Sequence, residues 1–424
     1  LVQMTEVEMT EEIIDRLDNS AEPNQGSGRS GPDTYFLLKL APGISKRKAT
    51  ESLEEITSSL PSIAVSNWSS VESIDNNKLI DYARVGSLVS HSNSSVLCGI
   101  PPSLSQCHLY TLNDDGPLAQ SVSVDDNSES TAGSTLWQLP CVEFEKIWPS
   151  LLYDDNIKNE LLSYLISLID LSDRGIDSSI ISVNRLMLLL GPPGTGKTSL
   201  CKGLAQLASI LLNDKFSKCA MLEVNSHSLF SKWFSESGKL VGRLFEQAEE
   251  IASDKSTLLF LLIDEAESLC ASRSRSSSGS DPTDSIRAVN ALLTQLDRLR
   301  RHSNVFVLCT SNLGDSLDGA LVDRSDVTRV VPLPGVNALT RIYRSCIDEL
   351  IKIGVISPAP SESECESVSL QLGSLSVSLS ARSIRQLPAV AFSRSLSKSL
   401  SLQSFLPFLL IVIQERKTKL TAHV

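Results

Sequence analysis

LMLLLGPPGTGKTSLCKGLAQL, residues 186–207, decides the fold. Its first five residues are a continuous apolar run, as expected of a strand covered on both faces. Further on, Leu200, Leu204 and Leu207 recur at the spacing of one helical face. Between strand and helix lies G-x-x-x-x-G-K-T, the loop formed by Gly191, Pro192, Pro193, Gly194, Thr195, Gly196, Lys197, Thr198 and Ser199. Glycines 191, 194 and 196 let successive backbone N–H groups turn inward around phosphate oxygens. Lys197 can reach the β and γ oxygens, and the Thr198 hydroxyl can ligate Mg²⁺. ATP with Mg²⁺ is the expected ligand.

A second apolar run, LLFLLIDE at 258–265, ends in two carboxylates. Asp264 at the strand end is placed to hold Mg²⁺ through water. Glu265 is expected to orient and deprotonate a water in line with the γ-phosphate. A third run, VFVLCTS at 305–311, ends beside Asn312, whose amide can hydrogen-bond the γ-phosphate or that water. With both carboxylates present, hydrolysis and not binding alone is expected.

Around these runs the chain alternates strand-like and helical segments from 136 to about 350, the order of a parallel α/β core. GRLFEQAEEIA (242–252) is one of the helical ones. Upstream, YFLLKL, SIAVSNW, VGSLV and CHLYTL are short apolar runs separated by turn residues, the pattern of a small mixed domain over 34–112. Residues 1–33 read as a flexible lead-in, and the Asp- and Ser-rich stretch 113–135 as a linker. The ATPase domain is then 136–335, and 336–424 a mostly helical lid. Within the lid, 356–381 is Ser- and Leu-rich and fits both a two-residue and a helical period.

Composition narrows the classes further. Over 424 residues the formal charge is −12, which argues against a protein whose main surface grips nucleic-acid backbones. Nine cysteines contain no C-x-x-C pair, so neither a zinc knuckle nor a disulfide framework is suggested. The longest apolar run, FLPFLLIVI at 405–413, is too short to span a bilayer. The acidic opening LVQMTEVEMTEEIIDRL does not read as a secretory signal. The expectation is a soluble, intracellular protein that engages neither nucleic acid nor membrane directly.

At this level of detail the chain resembles the AAA+ ATPases and, within them, the pachytene checkpoint protein 2 family. The resemblance rests on NRLMLLLGPPGTGKTSLCKGLAQ, EVNSHSLFSKWFSESGKLVGRLF, LIDEAESLCASR, IRAVNALLTQLDRLRRHSNVFVLCTSN and VDRSDV, with CHLYTLNDDGP upstream. LPCVEFEKIWPSLLYDDNIK (139–158) looks like the family segment that folds near the adenine. The implied fold is a RecA-like parallel-sheet α/β core with a small helical lid, preceded by a small α+β amino-terminal domain.

The resemblance also implies roles that spacing alone does not give. Lys232, Trp233 and Phe234 fall on the family's pore loop, where flat apolar side chains grip a polypeptide by burial without reading its sequence. Read without the family, the same aromatics could simply pack in a core. Arg324 falls where a finger reaches into the neighbouring subunit, with Arg329 a lesser candidate; a surface ion pair with Asp323 or Asp326 is the plainer alternative. Arg382 resembles the lid arginine that senses nucleotide, with Arg385 next in line. The chain departs from the family between 356 and 380, which is shorter than the family's lid.

Implied partners are HORMA-domain protein substrates, an adaptor protein and further copies of the chain in a homo-hexamer. The implied location is the nucleus, on chromosomes, with a cytoplasmic pool. Three rivals stay open: an ATP-switched scaffold, a motor on another protein, and a motor on DNA. RSRSSSGSDPTDS (273–285) reads as a mobile loop facing the pore.

Overall fold

Strands that are apolar on both faces require cover on both sides, and the fold supplies it. The computed structural model describes residues 35–41, 44, 46, 64–66, 69–71, 80–86, 95–97, 107–122, 131–177, 180–224, 237–268, 282–312, 317–395 and 397–421. The lead-in, the pore-loop residues Lys232, Trp233 and Phe234, and most of the serine-rich loop at 273–285 lie outside the described residues.

At the amino-terminal end, β1 (Tyr35–Leu40), β3 (Ser69–Val71), β4 (Ile80–Gly86) and β6 (Cys107–Tyr110) form a sheet in the order β3-β4-β1-β6. β2 (Ala64–Ser66) and β5 (Ser95–Leu97) pair separately. Next come β7 (Leu118–Val122), β8 (Thr131–Leu139), and the helices α1 (Ile147–Ser150) and α2 (Ile157–Asp173). The core continues as β9 (Leu186–Leu190), α3 (Lys197–Leu211), β10 (Lys218–Val224), α4 (Ser237–Ser253) and β11 (Thr257–Ile263). It ends with α5 (Pro282–Leu299), β12 (Val305–Ser311), α6 (Gly319–Val322) and β13 (Val327–Val330). The large sheet has the order β13-β9-β12-β11-β10-β8-β7, its first five strands parallel.

Alternation along these strands sends side chains to two cores. Met187, Leu189, Phe260, Leu262, Phe306 and Leu308 pack with α2 and α3 on one face. Leu186, Leu188, Leu259, Leu261, Val305 and Val307 pack with α4 and α5 on the other. The Phe260 and Phe306 rings stack across β11 and β12 with centroids 6.0 Å apart.

The stretch read as a linker is corrected by β7 and β8. β8 pairs antiparallel with β10 from Leu139↔Cys219 to Ser134↔Val224, and β7 pairs with β8. Composition misled here because within 113–135 it is mainly the backbone ladder that ties the strands in, the apolar packing of β8 coming from Leu136, Trp137 and Leu139 beyond it. Trp137 adds a side-chain tie, donating from Nε1 to Glu223 Oε2 at 3.0 Å.

The lid comprises α7 (Val336–Lys352), α8 (Glu362–Leu375), α9 (Ala381–Ser395) and α10 (Leu402–Thr421) around its own core. The ambiguous Ser/Leu run is resolved by α8 as a helix capped by Ser361, whose Oγ accepts from Glu364 N. Cys365, Val368, Ser369 and Leu372 point inward at helical spacing, while Leu370 is 54% exposed. FLPFLLIVI lies in α10, where Phe405, Leu409, Val412 and Ile413 are buried and Ile411 is exposed. Among the described residues no helix is long and apolar enough to cross a membrane.

Candidate functional site

Sheet order brings the sequence motifs together, because β9, β12 and β11 are adjacent and parallel and their carboxyl ends share one edge. Gly191, Gly194 and Gly196 have φ of +145°, +80° and +93°. A Cβ at Gly191 would lie 2.2 Å from the Val331 carbonyl oxygen, and one at Gly196 3.1 Å from the Tyr153 hydroxyl. Gly196 is the N-cap of α3 and supplies no side-chain cap, so the first N–H groups of the helix are left for an anion in the loop.

Lys197 is buried, and its Nζ donates to Gly191 O at 2.8 Å, Pro192 O at 2.9 Å and Asn312 Oδ1 at 2.9 Å. Burial pulls the ammonium below its ordinary pKa, opposed by the nearby carboxylates of Glu267, Asp264 and Glu265. Thr198 Oγ1 donates to Asp264 Oδ1 at 2.7 Å, and Thr310 Oγ1 donates to the same oxygen. Thr198 and Asp264 thus present adjacent hard oxygen donors, a set that fits Mg²⁺ completed by phosphate and water oxygens.

Glu265 holds φ at +53°, a left-handed conformation that costs a non-glycine residue about 1–3 kcal/mol and turns the chain sharply after β11. Its backbone N–H donates to Thr310 Oγ1 at 3.2 Å. A cavity of about 110 Å³ is lined by Lys197, Thr198, Asp264, Glu265, Thr310, Asn312 and Arg382, among others. Beside it a cavity of about 360 Å³ runs between the P-loop, Leu151–Tyr153 and the lid residues Arg382 and Arg385.

The lid arginines separate in this geometry. Arg382 lines both cavities, and its backbone N–H donates to Gly194 O at 3.1 Å. Arg385 lines only the larger one of the two and donates to Ser150 O at 2.6 Å. Arg324 lines neither. Its guanidinium grips Asp297 with two bonds of 2.9 Å and donates to Ala320 O. That ion pair is not with Asp323 or Asp326; the Asp326 carboxylate instead accepts from the Asn184 and Arg185 backbone N–H groups. Arg329 pairs with Asp155 and Glu160.

Two residues that motif reading passed over belong to the site. Thr310 bridges Asp264 and the Glu265 backbone. Glu267, in a short turn of helix after Glu265, accepts from Asn312 Nδ2 at 2.9 Å and Asn312 N at 3.2 Å. Asp154, beside the larger cavity, accepts from Gly335 N and Ala338 N and so holds the first turn of α7.

The family model described as ATPase family associated with various cellular activities (AAA) matches residues 187–333, which spans the P-loop, the Asp264–Glu265 pair and Asn312. Pachytene checkpoint protein 2 of Caenorhabditis elegans is 50% identical over 331 residues, 74% of this chain and 78% of that protein. The chain belongs to the pachytene checkpoint protein 2 family. The Rattus norvegicus homolog of that protein is 42% identical over 348 residues, covering 76% and 80%. The solved structure of C. elegans PCH-2 superposes with a TM-score of 0.76 at 40% identity, covering 91% of this chain and 99% of that one. A chain of the E. coli HORMA:CdnC:Trip13 complex shares the fold with a TM-score of 0.52 at 19% identity, over 65% and 93%. As a member of this family, the chain is an AAA ATPase with a nucleotide-binding core.

Proposed function

We propose that this protein is an ATP-driven remodeller of HORMA-domain proteins, acting as a homo-hexameric ring with an adaptor. The observation that carries the catalytic part is the cluster at the sheet edge: Lys197 on Asn312, and Thr198 on Asp264 beside Glu265. In this reading Lys197 and the loop N–H groups bind the β and γ phosphates. Glu265 takes the proton of the attacking water, and Asn312 orients it. Mg²⁺, held by Thr198 and Asp264, supplies charge neutralisation at the phosphates. Arg324 is contributed to the neighbouring subunit's site, and Arg382 reports nucleotide to the lid.

The substrate class rests on family membership and on the HORMA:CdnC:Trip13 neighbour. Lys232, Trp233 and Phe234 are assigned to the gripping loop, and the protein to the nucleus, on chromosomes, with a cytoplasmic pool. A motor is favoured over an ATP-switched scaffold because the lid has its own packed core and brings Arg382 to the P-loop. Trp233→Ala tests the reading: remodelling of a HORMA-domain protein is lost while ATP turnover stays within about threefold of wild type, and single-stranded DNA does not alter turnover. Intact remodelling by the variant, or stimulation by DNA, contradicts it.

A further inference from the structure

Asn312 sits between two groups of opposite hydrogen-bonding character. Lys197 Nζ has only donors to offer, and the Glu267 carboxylate only acceptors. The amide therefore has one consistent orientation: Oδ1 accepts from Lys197 at 2.9 Å, and Nδ2 donates to Glu267 Oε1 at 2.9 Å. The same Glu267 oxygen accepts from the Asn312 backbone N–H at 3.2 Å, so the main chain just past β12 is held along with the amide. Glu267 reaches this place because Glu265 turns the chain with its left-handed φ, after which Ala266–Ser268 form one turn of helix.

We propose that Glu267 is a positioning residue that fixes Asn312 with its amide oxygen, not its amide nitrogen, toward Lys197 and the phosphate end of the site. Asn312 then faces the reaction as an acceptor. It takes an O–H from the attacking water or an N–H from Lys197, and does not donate to a phosphate oxygen. Stability alone does not explain this carboxylate. Its Oε2 is buried with no hydrogen-bond partner among the described residues, an arrangement that costs a fold free energy. The inference rests on the proposed ATP-hydrolysing site.

The test uses the full chain, steady-state ATP turnover and calorimetric titration with nucleotide. Glu267→Ala lowers kcat about 10- to 100-fold, with nucleotide Kd within about threefold of wild type. Glu267→Gln keeps an oxygen that can accept both N–H groups and recovers turnover to within about threefold. Combining Glu267→Ala with Asn312→Ala costs no more than the worse single change. A second pair guards against a variant that does not fold. Asn312→Asp alone sets two acceptors against each other, and adding Glu267→Gln supplies the missing donor and raises turnover at least about tenfold. Near-wild-type turnover of Glu267→Ala, multiplicative losses, or no rescue in the exchanged pair overturns the proposal. Glu265→Gln is the control: turnover equal to wild type in that variant defeats the hydrolytic reading itself, not the positioning role.

Discussion

Gly191 shows how little freedom single atoms leave at this site. Its φ of +145° is open to glycine alone, and an added Cβ would lie 2.2 Å from a backbone oxygen of Val331, which has no flexible end to move. Gly191→Ala is therefore expected to cost at least about 2 kcal/mol in urea unfolding and to abolish nucleotide binding. Gly175, with φ of +75° but open space around its Cβ position, is the contrast. Gly175→Ala should cost only about 1–2 kcal/mol and leave binding intact. Equal effects of the two changes would show that backbone strain, and not the close approach to Val331 just past β13, governs the loop. That Lys197, Thr198, Asp264 and Asn312 meet at one edge was legible in the sequence, because each stands at a fixed spacing from a strand end. Thr310 and Glu267 were not, because Thr310 meets Asp264 through strand register and Glu267 meets Asn312 through the turn after β11. Ile263, the last residue of β11, pairs with Cys309, so Asp264 just past β11 comes beside Thr310 on β12. No pattern along one segment carries that information.

At the scale of elements, the parallel core was readable because continuous apolar runs announce strands buried on both faces. The antiparallel edge was not: Leu118–Val122 and Thr131–Leu139 are held by a backbone ladder that composition does not reveal. Helix α8 was ambiguous for a different reason. Val368, Leu370 and Leu372 alternate as a strand would, but Cys365, Val368 and Leu372 also share a helical face, and burial selects the second set. Leu372→Ala, at a fully buried site, is expected to lower stability by about 2–5 kcal/mol. Leu370→Ala, at an exposed one, should change it by no more than about 0.5 kcal/mol. Thermal or urea unfolding checks both, and equal losses would favour the alternating arrangement.

At the scale of the whole molecule, the ATPase core and the lid meet around the nucleotide cavities, where Arg382 and Arg385 bond to backbone of the core and Asp154 holds the start of α7. A ligand in those cavities would touch both halves and so couple occupancy to lid position. Arg324 stands outside this contact. It is absent from the lining of both cavities, and its guanidinium is paired with Asp297. If, as proposed, Arg324 serves the neighbouring subunit of a ring, mixing Arg324→Ala subunits with wild type should lower turnover more steeply than in proportion to the fraction added, whereas linear dilution would speak against a shared site. The account as a whole depends on Glu265 activating water beside the Thr198–Asp264 pair. Its most direct test is steady-state ATP turnover of Glu265→Gln against wild type at saturating ATP. The account predicts a fall of at least about 100-fold with nucleotide still bound, and equal turnover by the two proteins would contradict it.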